Sequence, residues 1–400
     1  MSRILSHQRS QLKSSTLLKA DHCVKCGLCS AQCPTYLLNK TESESPRGRV
    51  SLAQAIAGDH IADSEILQQH IDNCLSCLRC EKICPSGVEF GEIMANSRAL
   101  LADQQADTWQ DKTIHWVSQR SAKDWGKIAR ITGLIHKTGL FSLFSSLKSV
   151  QQAIGTGENL IPQVKAHKTA PKVMLFSGCI SRILDGDTIS HAIDLLTKCG
   201  FQVSIPQEQV CCGALPYHKG LFDSARQCND KNYQAFGTED LPVLFMASAC
   251  GARLVKHENP DFTDRVVDIT AFLIQQNVLA QQTFKHTPQR ILIHSPCTEK
   301  NALKQQGVTE KLLSYLPGAN IISLKETTGC CGAAGDYMLS HPETANKIRE
   351  PLLNDIEAIN PDIIVTGNYT CGIHIKNGLR EKSLDIPVMH SIELLLKQLL

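Results

Sequence analysis

The 400-residue sequence has no run of 18 apolar residues, the minimum for a bilayer-spanning helix. Its N-terminus, MSRILSHQRSQLKSSTLLKADHC, has no apolar stretch long enough for a secretory signal. Charge of one sign is also missing, because 41 basic residues face 39 acidic ones. That balance argues against a nucleic-acid partner held by bulk charge. No dinucleotide-binding fingerprint follows a strand-like run. Gly155-Thr156-Gly157 is a lone G-x-G, so no flavin or nicotinamide site is expected here.

Cysteine, by contrast, is abundant at 18 residues. Without an export signal these thiols are expected to stay reduced, as in the cytoplasm. Reduced cysteines in ordered spacings point to metal ligation.

The first ordered set is Cys23-x2-Cys26-x2-Cys29-x3-Cys33-Pro34, repeated as Cys74-x2-Cys77-x2-Cys80-x3-Cys84-Pro85. This is the pattern of two-cluster ferredoxins, in which three thiolates of one run are completed by the last thiolate of the other. One [4Fe–4S] cluster is therefore expected on Cys23, Cys26, Cys29 and Cys84. The second is expected on Cys74, Cys77, Cys80 and Cys33. Two zinc ions on four cysteines each are the redox-silent alternative. The 51-residue step between the runs, filled by a helical pattern, predicts a helical ferredoxin domain rather than a compact β-rich one.

The second ordered set is a repeat. KVMLFSGC, Cys-Cys-Gly and VLFMASACG recur as RILIHSPC, Cys-Cys-Gly and IIVTGNYTCG, at offsets of 118, 119 and 121 residues. Each copy alternates short apolar runs (172–176, 201–205 and 243–247; 291–293, 321–324 and 363–366) with helical patterns such as 188–200 and 342–359. Such alternation predicts βαβ units and mostly parallel sheets. The fold class is thus α plus α/β. A two-cluster ferredoxin domain is expected over 1–105 and a basic helical connector over 106–170. Two α/β Cys-Cys-Gly domains are expected over 171–288 and 289–400.

Each copy offers four thiols. Cys179, Cys211, Cys212 and Cys250 form a candidate third site, and Cys297, Cys330, Cys331 and Cys371 a candidate fourth. Further iron–sulfur clusters, zinc, or buried structural thiols remain open for both. Cys199 and Cys228 fall outside the pattern and read as ordinary thiols. His218 and His294 flank the motifs, where a histidine can hydrogen-bond a cluster or a quinone oxygen.

Residues 109–150 carry Trp109, Trp116 and Trp125 and a net charge of about +5. A basic, tryptophan-bearing helix can lie on an anionic membrane surface. The favoured reading is a helical connector packing between the two cluster domains.

CVKCGLCSAQCPTY, SPRGR at 45–49, CLSCLRCEKICPSGVEFG, CCGALPYHKG, ACGA at 249–252, HSPC at 294–297 and CCGAAGDYML together resemble the iron–sulfur subunits of bacterial glycolate oxidase. The resemblance runs in one order along nearly the whole chain. It implies an electron-transfer subunit of an oxidoreductase, with substrate oxidation on an FAD-binding 2-hydroxy-acid dehydrogenase partner and electrons passed towards a membrane quinone. It also implies a cytoplasmic protein, with a peripheral place on the inner membrane face as a further option. Subunits of anaerobic glycerol-3-phosphate dehydrogenase, lactate-utilisation proteins and heterodisulfide reductase share the Cys-Cys-Gly repeats. In heterodisulfide reductase the repeat closes with Cys-x-x-Cys. Here Gly251-Ala252-Arg253 and Gly372-Ile373-His374 follow the last cysteines, so a fifth thiolate from that position is missing.

Overall fold

The computed structural model describes residues 6–103, 108–125, 127–128, 170–179, 181–324 and 329–400. Most of the basic stretch, with Arg130, Lys137 and Lys148, and the Gly155-Thr156-Gly157 sequence lie outside the described residues. The chain forms two compact units. The first combines Met1–Trp116, Ala214–Arg226 and Gly329–Leu352, and the second holds the remainder.

The first unit is helical. Its helices form where capping and apolar spacing agree. Ser45 caps Pro46–Ala57 by accepting the Gly48 N–H at 2.9 Å, with Pro46 in the first turn. Ser64 caps Glu65–Asp72 by accepting the Leu67 N–H at 3.2 Å, and Glu65 complements the helix dipole. These helices, Ser6–Asp21 and Phe90–Ala102 bury Ala20, Val50, Ala53, Leu67, Ile71 and Ile93 in one core, against which Cys23, Cys29, Cys74 and Cys84 pack. Gly48 has no space for a side chain, because a Cβ there would run into the Glu42 carbonyl.

The second unit is α/β. Strands β1 (Lys172–Phe176), β2 (Gln202–Ser204), β3 (Val243–Phe245) and β4 (Val266–Asp268) form a parallel sheet in the order β2-β1-β3-β4. Strands β5 (Arg290–His294), β6 (Asn320–Ser323), β7 (Ile363–Thr366) and β8 (Val388–Met389) repeat that arrangement as β6-β5-β7-β8. Strands β3 and β7 are buried along their whole length, which is why they read as unbroken apolar runs. Helices Gly186–Lys198 and Ser391–Gln398 pack on this unit. One apolar core serves both sheets, from Val173 and Leu175 through Ile291 and Ile293 to Val365 and Leu395.

The topology positions the chemistry. In each sheet the order reverses between the first and third strands, β1 and β3 or β5 and β7. Open parallel sheets place ligand sites at the carboxyl ends of such a pair. Cys179 and Cys250 follow β1 and β3, and Cys297 and Cys371 follow β5 and β7. Among the described residues no helix is long and apolar enough to cross a membrane.

Candidate metal centres

In the first unit the two cysteine runs bend alike. Lys25 (φ 57°) and Gly27 (φ 86°) flank Cys26, and Ser76 (φ 50°) and Leu78 (φ 58°) flank Cys77. A left-handed non-glycine residue costs about 1–2 kcal/mol, so three such residues at matching places mark a loop shaped for a purpose.

Cys33 of the first run lines one cavity with Cys74, Cys77 and Cys80 of the second, and Arg49 and Phe90 also face it. Desolvation, aided by the neighbouring Cys330 sulfur, pushes the Cys77 thiol up to about 12. Desolvation and the surrounding Cys77, Cys74 and Cys33 hold Cys80 well above the ordinary thiol range. Clustered sulfurs do not share negative charge in such a place without a cation among them, and a positively charged iron centre meets that demand. Cys29, also raised by burial, feels Cys23 and Cys26, while the Arg47 backbone N–H favours its thiolate. Cys26 is exposed, and Cys84 is half-buried against the unit's core.

Two arginines brace these loops. Arg98 donates to the carbonyls of Ile71 (3.0 Å), Cys74 (2.7 Å) and His218 (2.9 Å) and to Ser76 Oγ (3.0 Å). Arg49 is buried beside Cys33. Arg98 carries no sequence signal of its role, because its partners lie up to 120 residues away, whereas Arg49 sits in SPRGR within 21 residues of its partners. The His218 carbonyl serves Arg98, and its ring lies edge-on to Tyr217.

In the second unit Cys179, Cys211, Cys212 and Cys250 are all buried. Hydrogen bonding among Cys179, Cys211 and Cys212 holds Cys211 well above its ordinary range, and contact with Cys212 does the same for Cys250. Gly213, at φ 81°, makes the sharp turn that lets adjacent cysteines face one centre, and its N–H points to Cys211 Sγ at 3.4 Å. The Tyr369 phenol is pushed well up by desolvation and by these four sulfurs.

Cys228 differs from its reading as an ordinary thiol. It is fully buried and in hydrogen-bonding contact with Cys211, while Gln119 Nε2 donates to it at 3.4 Å and the Ser118 carbonyl accepts from it at 3.5 Å. It sits on the helix Phe222–Phe236, whose counterpart in the other repeat, Pro342–Ile359, carries no cysteine, so spacing gives no hint. Cys199 packs against the apolar core, and burial raises it to about 11.

The second four-cysteine set is divided. Cys330 and Cys331 belong to the first unit, Cys297 and Cys371 to the second. Gly332 (φ 74°) repeats the Gly213 turn, with its N–H 3.4 Å from Cys330 Sγ. Cys330 packs with Leu75, Cys77 and Tyr337. Asn368 Nδ2 lies 3.6 Å from Cys371 Sγ, and His294 Nδ1 pairs with Thr366 Oγ1 at 2.9 Å.

Comparison with known proteins fits this geometry. Residues 19–88 match the 4Fe-4S dicluster domain, and residues 173–255 and 291–376 each match the cysteine-rich domain. The chain belongs to the iron–sulfur family that joins a 4Fe-4S dicluster domain to two cysteine-rich domains. Within this family it is 26% identical to the probable glycolate oxidase iron-sulfur subunit of Bacillus subtilis, over 99% of this chain and 97% of that one. It is 28% identical to the glycolate oxidase iron-sulfur subunit of Escherichia coli, over 96% and 94%. It is 25% identical to a subunit of the fumarate reductase (CoM/CoB) of Methanothermobacter marburgensis, over 93% and 71%. Family membership makes [4Fe–4S] clusters its cofactors and electron transfer its work.

Proposed function

We propose that this chain is the iron–sulfur subunit of an FAD-linked 2-hydroxy-acid dehydrogenase of the glycolate oxidase type. In this reading Cys23, Cys26, Cys29 and Cys84 hold one cluster, and Cys74, Cys77, Cys80 and Cys33 hold the other. The observation that carries it is the single cavity shared by Cys33 and the three thiols of the second run. The clusters, when bound, accept and release single electrons. The residues around them fix the sulfurs, exclude water from the buried site and set the local field. Cys26, the exposed thiol, marks the side at which a redox partner approaches.

Cys179, Cys211, Cys212 and Cys250 form a third ligand set, supported by their burial and mutual contact. Substrate oxidation lies with a flavoprotein partner, and the final acceptor is a quinone reached from the cytoplasmic face. Anaerobic affinity purification from the host tests the partnership. Recovery of an FAD protein and glycolate- or lactate-dependent dye reduction support it. A chain recovered alone, with no flavin under gentle conditions, contradicts it.

A second reading places chemistry at the Cys-Cys-Gly site, as in heterodisulfide reductase. Cys228 favours it, because this thiol joins the four-cysteine set from another direction. Disulfide turnover by the isolated, reconstituted chain would establish it.

A further inference from the structure

The SPRGR sequence is not accounted for by ligation alone. Its Ser45 and Pro46 start a helix, yet Arg49 is 1% exposed, and its partner Glu44 is 3% exposed. Replacing such a buried ion pair with apolar residues is often neutral for stability, so stability explains it poorly. Its position is more informative. Arg49 Nη1 lies 3.8 Å from Cys33 Sγ and also donates to Thr35 Oγ1 (2.9 Å) and the Glu44 carbonyl (2.7 Å). Nη2 meets Glu44 Oε2 at 2.5 Å, and Nε donates to the His70 carbonyl at 2.8 Å. Glu44 Oε1 is held by His70 Nδ1 (2.8 Å) and Asn73 Nδ2 (3.1 Å). The guanidinium is thus the charged group hydrogen-bonded to the sulfur, and the carboxylate stands behind it.

We propose that Arg49 is a positioning residue that raises the reduction potential of the cluster on Cys33, Cys74, Cys77 and Cys80, with Glu44 setting the size of the effect. The inference rests on the ligand assignment above. Reduction adds one negative charge beside a fixed cation that water barely screens, so the cation favours the reduced form. A hydrogen bond into the Cys33 thiolate acts in the same direction. Removing Arg49 lowers the potential, whereas removing the Glu44 charge raises it. A purely structural role would weaken the protein in both variants without opposite shifts.

The test is an EPR-monitored redox titration of the anaerobic full-length holoprotein, comparing wild type with Arg49→Met, Glu44→Gln and the double variant. Cys33→Ser identifies which signal belongs to this cluster. The expected result for Arg49→Met is a tenfold or larger loss in the reduced fraction at fixed ambient potential, about 59 mV downwards for one electron. Glu44→Gln shifts the same signal upwards, and the other dicluster signal moves less. The double variant, which buries no unpaired charge, falls below Glu44→Gln and keeps the test alive if Arg49→Met does not fold. A retained cluster with an unmoved potential, or shifts of one sign in both single variants, overturns the inference while leaving the ligand assignment standing. A Cys33→Ser protein whose two signals both remain as in wild type overturns the assignment, and the inference with it.

Discussion

Arg98→Met should unfasten the loop that presents Cys74 and Cys77. Methionine keeps the buried stem of Arg98, which is only 8% exposed, and removes the guanidinium. Three backbone carbonyls then lose a charged donor, those of Ile71, Cys74 and His218. The Ser76 hydroxyl can turn to another partner, and Asp72 faces water. The Ile71 carbonyl keeps the Cys74 N–H at 3.3 Å, so the Cys74 and His218 carbonyls are orphaned at about 1–3 kcal/mol each; with the charged hydrogen bond to Ile71 also lost and water relieving part of this, the net loss is roughly 3–5 kcal/mol. For a unit of this size each kcal/mol moves Tm by about 2–4 °C, which gives a fall of about 6–20 °C. The assay is anaerobic thermal unfolding followed by visible cluster absorption alongside far-UV circular dichroism. In the variant, cluster bleaching should begin before helix loss. Coincident transitions within about 2 °C of wild type would refute the bracing role, since they imply a loss below ~1 kcal/mol.

Gly220→Ala forces a side chain into the backbone of Ala99 at φ 75° and should cost about 2–4 kcal/mol in denaturant unfolding, from left-handed strain plus overpacking. Gly237→Ala, at φ 61° with open space around it, should cost only about 1–2 kcal/mol. Asp268 accepts N–H bonds from Thr270 (2.8 Å) and Ala271 (3.2 Å), while burial raises its carboxyl to about 6. The folded state therefore binds this proton more tightly than the unfolded state, so its contribution is full below about pH 4 and is lost as pH rises through 6. Asp268→Asn keeps the helix cap and should flatten that fall in a series of melts from pH 4 to 7.5. On the proposed third ligand set, Cys211→Ser should remove the metal, whereas Cys228→Ser should retain it with an altered EPR line shape. Flotation with anionic vesicles tests the basic 109–150 stretch. Association that vanishes with neutral lipid supports surface binding, and none with either lipid ends that idea.

Much of this architecture is legible in the sequence, for physical reasons. Strands β1, β3, β5 and β7 are buried apart from the exposed Lys172 and Arg290 that begin β1 and β5, so their apolar runs are unbroken. The expected pairing of Cys33 with the second run rests on the spacing of two-cluster ferredoxins, and the structure puts Cys33 in one cavity with Cys74, Cys77 and Cys80. Strands β4 and β8 offer only the apolar pairs Val266-Val267 and Val388-Met389 between polar or proline neighbours, too short a run to leave a pattern. Residues 214–226 follow one Cys-Cys-Gly motif and 329–352 include the other, both within a strand–helix repeat, and nothing in their composition signals that they join the helical unit. Arg49 and Arg98 look like surface charges in the sequence. Their burial arises only when distant carbonyls, Glu44 and the cysteine loops come together around them.

Iron, acid-labile sulfide and zinc content, measured on the protein purified and kept without oxygen and paired with EPR after reduction, tests the central claim most directly. The account predicts a brown protein with at least about eight irons per chain, four for each of two cubanes, and two interacting paramagnetic signals. A colourless protein that holds only zinc in its cysteine runs would contradict it.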